Sequence, residues 1–188
     1  QAREGGAATQ EPFTWQPPTL DVGDADAPEV RVENEDICKK YEGVVIEGVE
    51  VNSSPWWLQK RLLLAGFKPV NNIVDITNYV LHEYGQPLHA FDADTLEGEV
   101  VVREAEGGEE IAMLDGETRE LQEGMLVIAD QDGPVAVAGV MGGSETGTSD
   151  DTTRIFLESA TFDGTSVRRT SRDLQVRTNS SQLFEKHL

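Results

Sequence analysis

The chain has 188 residues and carries 35 acidic against 15 basic side chains, a net charge of -20. That length holds one or two domains with a substantial core, and no apolar run approaches the roughly 20 residues a membrane span needs. Taken alone, the charge argues against phosphate-backbone binding, because it repels polyanions at long range. Such a surface suits either repulsion of acidic partners or solubility in high salt, where repulsion is screened within a few ångströms. The second explanation is preferred. Lys occurs five times, and the basic residues gather late, from Arg168 to Arg177. Residues 1–10 lack the apolar segment of a secretion signal, and the absence of an initial Met leads us to expect a piece of a longer protein. The single Cys38 has no internal disulfide partner, in keeping with a reducing, cytoplasmic setting.

In chain order, residues 1–28 are rich in Gly, Ala, Pro, Thr and acidic residues, with Phe13, Trp15 and Leu20 as anchors; they read as a linker or extended arm. A compact region follows over 29–188. Residues 44–51 are rich in β-formers and bounded by glycine, and read as a strand. Ser53-Ser54-Pro55 supplies a cap and a first-turn proline for a helix over 56–65, stopped by Gly66. Trp56, Trp57, Leu58, Leu62 and Leu63 are its expected core residues. A second helix over 74–84 ends at Gly85, with Ile73, Ile76, Val80, Leu81 and Tyr84 as its expected buried face. Beyond it, a Pro-braced turn presents His89. Strands are expected at 100–102, 111–114, 117–121, 125–129 and 135–140, with Asp115-Gly116 and Asp132-Gly133 as turns. A further strand covers 153–161. Asp163 then caps a helix to Asp173, and another helix starts at Gln182. With no internal repeat, the class is α+β.

His82, Glu83 and His89 invite a metal reading. The two imidazoles are seven residues apart across a helix end, where a helical zinc pair is spaced by four, so no metal site is assigned. Gly139 to Gly143 lacks the Lys-Ser/Thr of a nucleotide loop; a bend at a strand end and a pocket wall fit its spacing equally. Glu158 stands among Ile155, Phe156, Leu157 and Ala160. Alternation puts it on one strand face with Phe156, where it needs a partner or a shifted proton affinity; an edge-strand Glu facing solvent is the alternative. Ser144 and Ser159 fit no nucleophile elbow, so a hydrolase built here would position a water instead.

Six segments in order carry a family resemblance: Ser54-Pro55-Trp56-Trp57-Leu58, residues 71–80 (NNIVDITNYV), residues 85–92 (GQPLHAFD), Ala138-Gly139-Val140-Met141-Gly142-Gly143, Leu157-Glu158-Ser159-Ala160 and Arg168-Arg169-Thr170. Together they resemble the editing module of the bacterial phenylalanyl-tRNA synthetase β subunit, from about Cys38 to Lys186. The resemblance implies a layered α+β module around a β-sandwich of unusual topology with flanking helices. It implies hydrolysis of tyrosine wrongly esterified to tRNA(Phe), with Thr77 and His89 orienting the ester and water. Ala138, Gly139 and Glu158 would bind the amino acid, and Arg168, Arg169 and Arg172 would face tRNA. It further implies an α2β2 assembly with a synthetase α subunit, ATP and Mg²⁺ chemistry elsewhere in that assembly, and no cofactor in this segment. A noncatalytic tRNA-docking or scaffold module is the competing expectation. Two departures from the family pattern, His82 and the 182–188 ending, avoid the five pocket positions.

Overall fold

The computed structural model describes residues 2–10, 14, 19, 23 and 26–186. Of the expected arm, Ala2–Thr9 is a helix (α1), whereas the anchors Phe13, Trp15 and Leu20 lie outside the described residues. Strand β1 (Val30–Val32) precedes a ten-residue strand β2 (Cys38–Glu47), which begins earlier than the expected 44–51 and stops before Gly48 at φ +68°. Its polar half, 38–43, is strand because it pairs with β10 (Arg154–Phe162), a non-local cause that local composition does not carry.

Helix α2 (Trp56–Leu64) starts after Pro55, and no side chain caps it. Ser54, expected to cap, instead donates its hydroxyl to the buried Asp75 carboxylate at 2.6 Å, fastening the start of α2 to α3 (Asn72–Tyr84). Asp75 also accepts the Val70 N–H at 2.8 Å, which gives this fully buried carboxylate two donors. The α3 stop at Gly85 is as expected, while the helix begins at Asn72, two residues before the expected 74. Asn71 caps it by accepting the Val74 N–H, and Gly85 at φ +78° closes it with its N–H on the Leu81 carbonyl.

The expected helical core needs correction. Leu58 and Leu62 are buried, but Trp56 and Trp57 are 69% and 54% exposed, and Leu63, Ile76 and Tyr84 are also exposed. A nine-residue helix buries a single i, i+4 stripe, and here that stripe is Leu58 and Leu62. Trp57 instead meets Tyr79 edge-on at 5.9 Å, with the Arg61 guanidinium 5.7 Å from both ring centroids.

Strand β3 (Leu88–Asp92) replaces the expected Pro-braced turn. It completes a three-stranded antiparallel sheet, β2-β10-β3, with the long β10 at its centre. The other main sheet runs β1-β4-β7-β8-β9, formed with β4 (Val100–Glu104), β7 (Leu126–Ala129), β8 (Pro134–Val137) and β9 (Met141–Gly142). Its pairs are antiparallel except β1 with β4. A hairpin, β5 (Glu110–Ala112) and β6 (Thr118–Glu120), turns at Asp115-Gly116 as expected. Phe91 and Phe156 from one sheet and Val100, Val102, Val127 and Val137 from the other lie in one buried cluster, so the two sheets share a core. Helix α4 (Gly164–Asp173), capped by Asp163, and helix α5 (Asn179–Phe184) close the described chain. The architecture is α+β.

Candidate functional site

Strand β10 sets the site. Phe156, Glu158, Ala160 and Phe162 are buried on one face at every second residue. Directly across from Glu158 stand His89 on β3 and Gly43 on β2. Opposed residues of an antiparallel ladder share a face, so the carboxylate and the imidazole are neighbours on one surface. Gly43 is required where it lies: a Cβ there would run into the Phe156 ring.

That surface forms one wall of an open cavity of about 400 Å³, mouth included. His89 and Glu158 line it together with Ala138, Gly139, Gly142 and Phe184, among others. Glu158 is 8% exposed and accepts one hydrogen bond, from the Tyr41 hydroxyl at 2.9 Å. Burial pushes its carboxyl up to about 7, and the Tyr41 bond acts in the opposite direction. Burial, with the Glu158 charge beside it, drives the Tyr41 phenol far above its ordinary value. The solvent-facing alternative for Glu158 is therefore wrong.

His89 is held edge-on to Phe91, with ring centroids 4.3 Å apart. Burial lowers its pKa to about 4, so the imidazole is neutral near pH 7. Its Nε2 is buried and has no hydrogen-bond partner. An unmet polar atom of this kind costs roughly 1–3 kcal/mol.

The facing wall is a turn. Val140 donates its N–H to the Val137 carbonyl at 3.0 Å, and Gly139, third in that turn, has φ +69°. This is a type II turn, whose third position calls for glycine. A Cβ at Gly139 would also approach Val167 Cγ2 to 2.9 Å. The Gly139 N–H has no hydrogen-bond partner among the described residues. Thr178 secures the wall from α5 by donating its hydroxyl to the Val140 carbonyl at 2.8 Å. One strand further on, Gly142 makes room for His89, since a Cβ there would collide with the imidazole.

Four of the five expected pocket residues thus converge: His89, Ala138, Gly139 and Glu158. Thr77 lies outside the cavity lining, on α3, with its hydroxyl donated to the Val74 carbonyl at 2.8 Å. Arg168, Arg169 and Arg172 are exposed on α4, whose opposite face buries Val167, Thr170 and Ser171. Arg172 pairs with Asp173 at 2.8 Å. His82 packs against Phe67, on a different element from His89, and no group of three or more potential metal ligands occurs among the described residues. Sequence reasoning missed Tyr41, and it included Gly142 in the 139–143 run without giving it a role of its own. Tyr41 becomes significant only through the β2–β10 register, which no local signal carries.

Two sheets over one core, with a carboxylate and an imidazole facing a glycine turn, define an α+β domain with a candidate site at the seam of those elements. The profile of the B3/4 domain matches residues 37–188, and the chain belongs to that family. Among its curated relatives is the phenylalanine–tRNA ligase beta subunit of Carboxydothermus hydrogenoformans, 50% identical over 189 residues, covering 100% of this chain and 24% of the relative. The same subunit of Aquifex aeolicus is 54% identical over 159 residues, covering 85% of this chain and 20% of the relative. The chain therefore spans about a quarter or less of these relatives. An N-terminal fragment of the phenylalanyl-tRNA synthetase beta subunit from Pyrococcus horikoshii shares the fold, with a TM-score of 0.58 at 15% identity, over 76% of this chain and 45% of that one. Among the described residues, no helix is long and apolar enough to cross a membrane.

Proposed function

We propose that the cavity hydrolyses the ester of tyrosine mischarged onto tRNA(Phe), as the editing site of a phenylalanyl-tRNA synthetase. The observation that carries this is the pairing of Glu158 and His89 across β10 and β3, one a buried carboxylate and the other a neutral imidazole with an unmet Nε2. A synthetic site that accepts Phe excludes Tyr incompletely, and a second sieve can read the extra hydroxyl. Glu158 accepts the phenol O–H in this scheme, and the free Gly139 N–H is a second contact for the phenol oxygen. Phe in the same place would leave Glu158 buried and facing an apolar ring, a penalty of roughly 1–3 kcal/mol.

At the other end, His89 orients the ester and the attacking water. Thr77, outside the cavity lining with its hydroxyl proton committed to the Val74 carbonyl, is assigned no direct step in this scheme. The water adds to the ester carbonyl, and the tRNA ribose oxygen leaves with a proton. Released tyrosine and free tRNA(Phe) are the products. Arg168, Arg169 and Arg172 form the local basic face toward tRNA on an otherwise acidic chain. The remainder of the synthetase, in an α2β2 assembly, supplies most tRNA affinity and the ATP- and Mg²⁺-dependent synthesis; this segment needs no cofactor. Glu158→Ala in the complete synthetase tests the assignment. It is expected to lose preference for Tyr-tRNA(Phe) over Phe-tRNA(Phe) while remaining folded. Unchanged preference would remove Glu158 from recognition.

A further inference from the structure

We propose that Tyr41 is a specificity-determining positioning residue, whose hydroxyl ties up one Glu158 oxygen from behind and leaves the other as the acceptor that a phenol in the cavity meets. The inference rests on the editing reading above and names a residue on which its selectivity depends. Tyr41 pairs with Ala160 in the β2–β10 ladder, so it lies diagonal to Glu158 on the same sheet face. It is not among the residues lining the cavity, yet its hydroxyl reaches Glu158 Oε2 at 2.9 Å. Glu158 Oε1 accepts no hydrogen bond from any described residue. The carboxylate is thus anchored on one side and open on the other.

The groups facing Glu158 are Cys38 and Tyr41 from β2 and His89 from β3. Neither Cys38, with its thiol pushed up to about 11 by burial, nor His89, held neutral by burial, offers it a positive charge. Tyr41 is therefore the group that favours ionised Glu158 against desolvation. Ionisation matters for selectivity. An ionised carboxylate only accepts, so it demands a donor, which Tyr supplies and Phe lacks. A protonated carboxyl has its own proton to place and discriminates less. Tyr41 accordingly sets the pH range over which the cavity prefers a phenol.

The test uses the complete synthetase with L-tyrosinamide and L-phenylalaninamide as probes. Their affinity ratio is followed by titration calorimetry from about pH 5.5 to 8.5, and Tyr-tRNA(Phe) hydrolysis is measured on the same samples. Tyr41→Phe is expected to move the midpoint of the ratio's pH profile up by about one unit, reducing the preference at pH 7 by up to roughly tenfold. Glu158→Gln removes the pH dependence, and adding Tyr41→Phe to it is expected to change nothing further. A purely structural tyrosine would cost binding in both backgrounds. The proposal is overturned if Tyr41→Phe leaves ratio and midpoint unchanged, or adds a loss to Glu158→Gln. A phenol preference that depends on Tyr41 without any hydrolysis sinks the editing reading alone. A wild type with no phenol preference at any pH sinks both.

Discussion

Replacing Glu158 by Gln should alter the pH dependence of stability in a way that burial alone dictates. A carboxyl raised to about 7 when folded, against an ordinary 4.5, contributes stability that is fully present below pH 4.5 and lost as pH rises through about 7. His89, lowered from 6.5 to about 4, does the reverse: its contribution is present above 6.5 and lost as pH falls through about 4. Between about pH 4.5 and 6.5 the two slopes oppose each other and nearly cancel in the wild type, so the variant-minus-wild-type difference is the informative quantity. A shift of about 2.5 units amounts to about 3 kcal/mol in full, of which about 2 kcal/mol develops between pH 5.5 and 8. That window also avoids the isoelectric region near 4.3. Urea unfolding at each pH supplies the difference, provided the m-value is unchanged. Glu158→Gln should gain on the wild type by about 2 kcal/mol across the window, while the other carboxylates cancel in the subtraction. A flat difference would mean that Glu158 is solvated, and the account of the cavity wall would fail.

Other variants probe the remaining parts. Leu62→Ala removes a fully buried side chain on α2 and should cost about 2–5 kcal/mol by urea unfolding. Trp56→Ser on the same helix, 69% exposed, should stay within about 0.5 kcal/mol despite the larger residue removed. The opposite ranking would invert the α2 packing. Gly142→Ala drives a methyl into the His89 imidazole, so hydrolysis should be lost with a destabilisation of about 1–3 kcal/mol, checked by deacylation and unfolding assays. Arg168→Glu with Arg169→Glu should weaken tRNA binding and flatten its dependence on salt while leaving stability unchanged, as read by filter binding across a salt series.

How much was legible in the sequence depended on how local the cause was. Gly85, Asp163 and the Asp115-Gly116 turn act within four residues of themselves, and each is where its chemistry placed it. The alternation around Glu158 likewise gave the buried face of β10. Tyr41 was invisible because residues 38–43 look like a charged loop, and they become strand only by pairing with β10. The same non-local pairing turned the expected Pro-braced turn into β3, so that His89 is aligned by the ladder and not by a loop. Trp56 and Trp57 misled for another reason. Apolarity states a preference for burial, but a short helix with one packed stripe leaves most of its circumference uncovered. Gly139 was recognisable as a bend or a pocket wall, and the structure makes it both.

The most direct measurement is deacylation of Tyr-tRNA(Phe) beside Phe-tRNA(Phe) by the complete synthetase at neutral pH, with the spontaneous rate subtracted. Tyr-tRNA(Phe) should be cleared faster, by about tenfold or more given one unpaired buried carboxylate in the Phe complex. Equal rates for the two esters, or no enzymatic hydrolysis of either, would contradict the assignment of this cavity as the editing site.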